Sequence, residues 1–379
     1  MSLWCWLIAG SAALIALASL RGEGRRAAYV KARLAERAAT LPPATVIVPI
    51  KGDDEGLREN LAALTALDYP DYELLVAAQI AADIPPGVLP RRVKVVLARG
   101  GSAEASEKVQ NLMAAVAAAR RSSTVFAFAD SDARVTAGWL RALAAPLEEP
   151  GVGASTGYRF FLPVPACAWS LLRGVWDGAA FGLLGPGDNP FAWGGAMAIR
   201  REVFFAAGVP ERWATAISDD YALSTAVHRA GLRIAFAPGA LAPSPERIGA
   251  RGFFAWSRRQ LLLTRVYAPR LWWAALAAHV LYCGGMAVAA GTWLHGSVAA
   301  PWLLAAQLFP GMTKGFLRAR RARAALPTQA AWFRRWGWTH TLLTPIATWL
   351  WLATLLSSAF GTSIDWRGRR YRLRRDGGS

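Results

Sequence analysis

The sequence predicts an α/β protein in which a mainly parallel sheet forms a cytoplasmic domain between N-terminal and C-terminal transmembrane helices. Three observations carry this expectation. Short β-branched runs alternate with helical patterns from Thr45 onward, as in a parallel sheet covered on both faces. One run, Val125-Phe126-Ala127-Phe128-Ala129, ends abruptly in Asp130-Ser131-Asp132, at the kind of strand tip where an open α/β sheet places its ligand. Long uncharged runs stand towards both ends of the chain with arginines crowded beside them.

Composition narrows the function classes. The 379 residues are 54% hydrophobic, which accommodates one large domain plus membrane segments. The net charge of +18 points to an anionic surface. Because the arginines flank apolar runs and do not interleave with aromatics on a strand face, that surface is read as anionic membrane lipid and not nucleic acid. Cys5, Cys167 and Cys283 are far apart, so neither a disulfide framework nor a cysteine metal site is suggested. His228, His279, His295 and His340 are scattered too, which leaves a histidine-ligated zinc or a histidine triad without support. No G-x-G-x-x-G or Walker pattern occurs, which disfavours a dinucleotide fold or a P-loop kinase.

Along the chain, Leu3 to Leu20 is uncharged and is followed by Arg21, Arg25, Arg26, Lys31, Arg33 and Arg37. A basic flank after the apolar run, and none before it, reads as an uncleaved anchor over residues 1–22 with the rest in the cytoplasm. A domain over 40–265 follows. Thr45 to Ile50 is a strand running into Lys51-Gly52-Asp53-Asp54-Glu55 and a helix to about Leu67. Tyr72 to Ala78 and Val93 to Ala98 are strands, Ser102 to Arg121 an alanine-rich helix, and Thr124 to Ala129 the strand of the acidic tip. Tyr158 to Pro190, aromatic and poor in charge, suits either a segment on the membrane surface or a buried connection.

After the domain, Leu271 to Thr313 carries no charged side chain and has the length of two crossings turning near Gly296 to Pro301, a helix pair over 268–313. Residues 314–336 read as a basic interfacial helix. Residues 337–364 form a membrane run that enters and returns, bending near Pro345, because residues 365–379 are the densest arginine cluster and belong in the cytoplasm. The expected location is a membrane crossed several times, with the domain over 40–265 facing the cytoplasm.

Asp130 and Asp132 repel one another unless a cation or a ligand's donors share them, and a divalent ion carrying a diphosphate meets that need; an Asp/Ser turn is the plain alternative. Asp219 and Asp220 open a helix after Ser218. One acidic residue there is an ordinary first-turn residue, whereas the second suits a general base for a hydroxyl nucleophile. Gly194 and Gly195 allow a backbone to approach a ligand closely, as well as making a tight turn.

These motifs, in order, resemble those of the ceramide glucosyltransferase family of GT-A (Rossmann-like) glycosyltransferases, over roughly Thr45 to Arg372. KGDDEGLRENL with LDYPDYELLV resembles the first strand and nucleotide-side loop, with Lys51 and Asp54 in it. KVQNL, ADSDARV, GGAMAIRREVF, SDDYAL, WSRRQ and IDWRGRRYRL follow in the family's order. The resemblance implies an inverting, metal-dependent transfer of glucose or another UDP-linked hexose to a membrane lipid hydroxyl, ceramide-like, diacylglycerol or hopanoid. It implies that Asp130 and Asp132 hold the metal, Mg²⁺ or Mn²⁺, and that Asp130 touches the nucleotide sugar. Asp220 corresponds to the base, Lys108 and Asn111 to a donor-side pair, and Arg259 to an arginine on the donor diphosphate. Gly194, Gly195, Asp219, Trp256 and Gln260 fall on the acceptor side. Two departures stand out. The aspartate usual after the second strand would fall near Ile80, where only Asp83 is acidic; the arginine motif has Trp256 and Gln260 where Gln or Arg and Trp are usual. The alternatives are a processive polysaccharide synthase of related fold, or a membrane scaffold that has lost catalysis.

Overall fold

The computed structural model describes residues 3–36, 40–100 and 104–374. Arg37, Ser102, Arg375 and Ser379 lie outside them. Helices α1 (Leu3–Ala18) and α2 (Glu23–Ala35) open the chain. The domain then runs β1 (Ala44–Pro49), α3 (Leu57–Thr65), β2 (Tyr72–Ala78), β3 (Val93–Leu97), α4 (Glu107–Ala118), β4 (Val125–Ala129), α5 (Trp139–Ala144) and β5 (Val152–Phe161). It continues with α6 (Ala168–Phe181), β6 (Ala196–Arg200), α7 (Arg201–Ala206), α8 (Val209–Trp213), α9 (Asp219–Arg229) and β7 (Arg233–Ser244). Helices α10 (Ala250–Tyr267), α11 (Pro269–Leu294), α12 (Ala300–Ala325), α13 (Ala330–Trp336), α14 (Thr339–Leu342) and α15 (Thr344–Ser358) follow, and a hairpin of β8 (Ser363–Trp366) and β9 (Arg369–Arg372) closes the described chain.

Strands β1 to β7 form one sheet in the order β3-β2-β1-β4-β6-β5-β7. All its pairings are parallel except the two made by β6, which runs against β4 and β5. The two-residue alternation of the strands divides the core into two layers. Val46, Val48 and Ala127 face Leu57, Leu61, Trp139 and Leu143, whereas Ile47, Phe126 and Phe128 face Val109, Leu112, Phe204 and Trp213. Reversal at β6 positions the site: Ala129 pairs with Ala196, so the glycine turn before β6 abuts the aspartates just beyond β4.

The Tyr158 to Pro190 segment resolves into the end of β5 and the helix α6, whose Gly174, Val175, Trp176 and Asp177 are buried. It is a buried layer between the sheet and the C-terminal helices. Trp176 stacks on Trp351 of α15 at 4.1 Å between ring centroids.

Two helical stretches, Trp4–Ala35 and Pro269–Leu294, are long and apolar enough to cross a membrane. The second helix of the C-terminal pair does not stop at Thr313. It continues through Pro310, which lies inside it, and runs to Ala325, where Leu326-Pro327 ends it, and the basic segment expected as one helix over 314–336 is split between the end of α12 and α13. Helix α15 lies antiparallel to only the first half of α11: Trp272 Nε1 donates to Ser358 Oγ at 2.9 Å, and Cys283 Sγ lies 3.8 Å from the Thr348 carbonyl. The other end of this run returns to the sheet, where His340 stacks on Phe160 of β5 at 5.1 Å. Both ends of 337–364 therefore lie on the side of the sheet, with the break at Leu343-Thr344 beside Pro345.

Candidate active site

The tip of β4 delivers Asp130 and Asp132 to the wall of a cavity of about 970 Å³. Both carboxylates meet cations of the protein. Lys108, on the first turn of α4, places Nζ 2.8 Å from Asp130 and 3.0 Å from Asp219. Burial pulls the Lys108 ammonium down, but Asp130, Asp219 and Asp220 together hold it above its ordinary value. Arg159, on β5, sits 2.6 Å from Asp132, 3.8 Å from Asp130 and 3.3 Å from Glu246, and its guanidinium lies 5.2 Å from the centre of the Trp193 ring. Burial lowers Arg159 as well, and Asp132, Glu246 and Asp130 more than offset it.

Helix α9 begins at the same place. Ser218, at the N-cap position, makes no side-chain cap bond; its hydroxyl instead donates to Asp220 Oδ1, which also accepts the Tyr221 N–H at 2.8 Å. Asp220 Oδ2 accepts the Gly194 N–H at 3.4 Å. Asp219 is only 3% exposed; burial raises its carboxyl to about 6 against the pull of Lys108, with Asp220 and Asp130 adding to the rise. The glycine turn is sterically required. A Cβ at Gly194 would stand 2.5 Å from Asp219 Oδ2 and 3.0 Å from Lys108 Nζ, and one at Gly195 would enter the Trp193 ring.

Other expected residues are spread around this centre. Lys51 lines the cavity, paired with Glu107. Asn111 is buried and accepts the Gln79 amide at 2.9 Å. Gln79 thus stands just beyond β2, beside Ile80 near which the aspartate of the resembled family is missing, and its Oε1 accepts the Gly100 N–H at 3.1 Å. Asp54 does not line the cavity; it accepts from Ser131 and pairs with Arg367 of the terminal hairpin at 2.6 Å. Arg259 and Gln260, on α10, line the cavity. Burial lowers the Arg259 pKa, with Arg159 and Arg367 adding to the effect. Trp256 packs edge-on against Phe161 and Trp176 at 5.6 and 5.3 Å.

Sequence reasoning missed Arg159, Arg173, Asp177 and Glu246. Arg173 is 2% exposed, pairs with Glu246 at 3.1 Å and lies 3.9 Å from the centre of the Phe161 ring. Asp177 accepts the Tyr158 hydroxyl at 3.0 Å, and burial pushes its carboxyl up to about 7 against that bond, Arg159 and Arg173. The available signal was a lone charge inside an apolar run, as Arg159 is in TGYRFFL and Arg173 and Asp177 are in WSLLRGVWDGAAF. Such a charge stays buried only with a partner.

From Asp130 and Asp220 the cavity continues past Asp177, Trp176 and Trp351 to Ala275, Ala278 and Tyr282 of α11 and to Ala12 and Ile15 of α1. A single space therefore joins the carboxylates to the most apolar helices. Chemically the centre offers hard oxygen donors, buried cations suited to a diphosphate, and a carboxylate at a helix start. No three His, Cys, Asp or Glu side chains come together as a metal site among the described residues. Two carboxylates nevertheless fit a Mg²⁺ or Mn²⁺ ion that completes its shell with phosphate oxygens and water.

Solved structures of other proteins are similar to this chain. A mannosyltransferase from Pyrobaculum calidifontis, determined with GDP-mannose and Mn²⁺, is 19% identical over 94% of this chain and 97% of its own, with a TM-score of 0.47. A glucosyl-3-phosphoglycerate synthase from Mycobacterium tuberculosis, determined with phosphoglyceric acid, is 17% identical over 63% of this chain and 83% of its own, with a TM-score of 0.40. No curated protein matches the sequence. The model of glycosyl transferase family 21 matches residues 5–379, and the chain belongs to that family.

Proposed function

We propose that this glycosyltransferase moves a hexose from a UDP-linked sugar to the hydroxyl of a membrane lipid, with inversion and with a divalent ion at Asp130 and Asp132. The observation that carries the proposal is the continuous cavity from those carboxylates to α1, α11 and α15. A water-soluble acceptor needs no such apolar extension, whereas a lipid must reach the sugar without leaving an apolar wall.

Lys108, Arg159 and Arg259 surround the place for the donor diphosphate, where negative charge grows as the glycosyl–phosphate bond breaks. A bound divalent ion supplies further neutralisation of that charge. The lipid hydroxyl approaches along the cavity, and Asp220 takes its proton while the oxygen bonds to the anomeric carbon. Ser218 and the Tyr221 N–H fix Asp220 Oδ1, and Oδ2, which among the described residues accepts only the long bond from the Gly194 N–H, is the oxygen for that proton. Direct displacement converts an α-linked donor to a β-glycoside. With Asp130, Asp132 and Asp220 together in the cavity, catalysis is favoured over a scaffold role.

In the proposed topology, α1, α11 and the first half of α12 cross the membrane, and the run over 337–364 enters and returns. This puts the sheet and the terminal hairpin on the cytoplasmic side of a bacterial inner membrane. Filling the apolar extension tests the reading. Ala275→Trp should lower transfer to lipid roughly ten-fold or more while UDP affinity stays within about two-fold. Unchanged transfer in that variant would detach the cavity from the acceptor.

A further inference from the structure

Away from the sheet, one side of the same cavity is closed by cations. Lys314 and Arg318, one turn apart on α12, line it together with Ser19, Ile15 and Leu183. Arg321, further along α12, and Arg26 of α2 stand beside them, and a single carboxylate, Glu23, faces the group. It lies 3.3 Å from Arg26 and 3.3 Å from Arg321. Lys314 Nζ reaches a neutral partner, Ser19 Oγ, at 2.8 Å. Arg318 Nε is buried without an acceptor, and its guanidinium lies against Gly182 at the end of α6. Arg321 is 4% exposed; its Nε and Nη1 have no acceptor, and the guanidinium is 5.3 Å from the centre of the Phe181 ring.

Buried guanidinium N–H groups without acceptors are costly, and four cations against one carboxylate repel one another unless an anion joins them. A phosphate supplies both several acceptor oxygens and negative charge, in a geometry that a guanidinium fork fits. The neighbouring wall is apolar, built from Ala12, Ile15 and Ala16 of α1. A free phosphate has no use for that wall, but a phosphate with acyl chains does. We propose that Lys314 and Arg318, supported by Arg26 and Arg321, bind the phosphate of an anionic phospholipid whose chains lie along α1. The site is separate from Asp130 and Asp220 and rests on the membrane reading above, though not on any sugar transfer.

The test is binding of radiolabelled dioleoylphosphatidylglycerol to the delipidated full chain in a neutral detergent, with no sugar donor present. The parent protein should retain saturable label that unlabelled phosphatidylglycerol displaces and trioleoylglycerol, which has neither phosphate nor free hydroxyl, does not. The double variant Lys314→Gln/Arg318→Gln should bind roughly ten-fold or more weakly. Arg320→Gln, which removes an exposed charge from the same helix, should bind as the parent does. A thermal-shift measurement guards against a double variant that fails to fold: phosphatidylglycerol should raise the Tm of the parent and of Arg318→Lys but not that of Arg318→Gln. Equal retention by the double variant, displacement by trioleoylglycerol, or an equal Tm rise in Arg318→Gln would overturn the site. Complete displacement by millimolar inorganic phosphate would overturn the lipid assignment and leave a soluble-anion site. Loss of glycosyl transfer alone moves none of these readouts.

Discussion

Lys108 Nζ lies 2.8 Å from Asp130 and bridges on to Asp219, so one ammonium ties the tip of β4 to the start of α9. The glycine turn before β6 makes this contact possible. Gly194→Ala should therefore damage the site without removing any charge, since the new methyl would meet Asp219 and Lys108. We expect roughly ten-fold weaker UDP binding and a stability loss of about 1–3 kcal/mol. Isothermal calorimetry and thermal unfolding check both; parent-like UDP affinity would show that the turn does not set the site.

Asp132→Ala removes one of the two carboxylates offered to a divalent ion and breaks its 2.6 Å ion pair with Arg159, which keeps Glu246 and Asp130. Metal-supported binding of UDP should weaken roughly ten-fold or more, and EDTA should inhibit the parent reversibly, with activity restored by Mn²⁺ or Mg²⁺. UDP binding that ignores both chelation and the substitution would remove the metal from the account.

Asp177 predicts a pH effect. Its folded carboxyl is raised from 3.8 to about 7, so the stability that comes from keeping it protonated is complete below 3.8 and is lost as pH rises through about 7. The raised pKa corresponds to about 4 kcal/mol at most. Asp177→Asn preserves an acceptor for the Tyr158 hydroxyl and has no proton to lose. Its apparent Tm relative to the parent should climb between roughly pH 4 and pH 8. A difference that stays flat over that window would show that Asp177 is ionised throughout.

Much of the fold was legible because its signals are local. A strand that buries Phe126 and Phe128 and ends in two carboxylates, or a helix that opens with Asp219 and Asp220, needs only a few neighbouring residues to be read. What could not be read depends on distant segments meeting. Arg367 donates to the Lys51 carbonyl at 2.8 Å across most of the sequence, and no local pattern foretells that contact. Arg159 drew no notice because the charge that explains it, Asp132, lies on another strand's tip. The helix boundary at Thr313 was misplaced because a change from apolar to basic composition does not end a helix, whereas Pro327 does.

The hairpin also bears on topology. Arg367 and Arg369 bind Asp54 and Glu107, so β8 and β9 stand on the side of the sheet. In a chain with Cys5, Cys167 and Cys283 replaced, Arg370→Cys should resist a membrane-impermeant thiol reagent in intact cells and react after lysis. Labelling in intact cells would place the hairpin outside and contradict the returning run over 337–364.

The central claim, transfer of a sugar to a lipid with Asp220 as the base, is tested most directly by incubating detergent-purified protein with radiolabelled UDP-glucose and ceramide, diacylglycerol or hopanoid acceptors. The account predicts a chloroform-soluble β-glycoside from the parent, and a rate roughly 10²- to 10⁴-fold lower from Asp220→Asn with UDP affinity retained. A water-soluble polymer as the product, free glucose alone, or near-normal transfer by Asp220→Asn would contradict it.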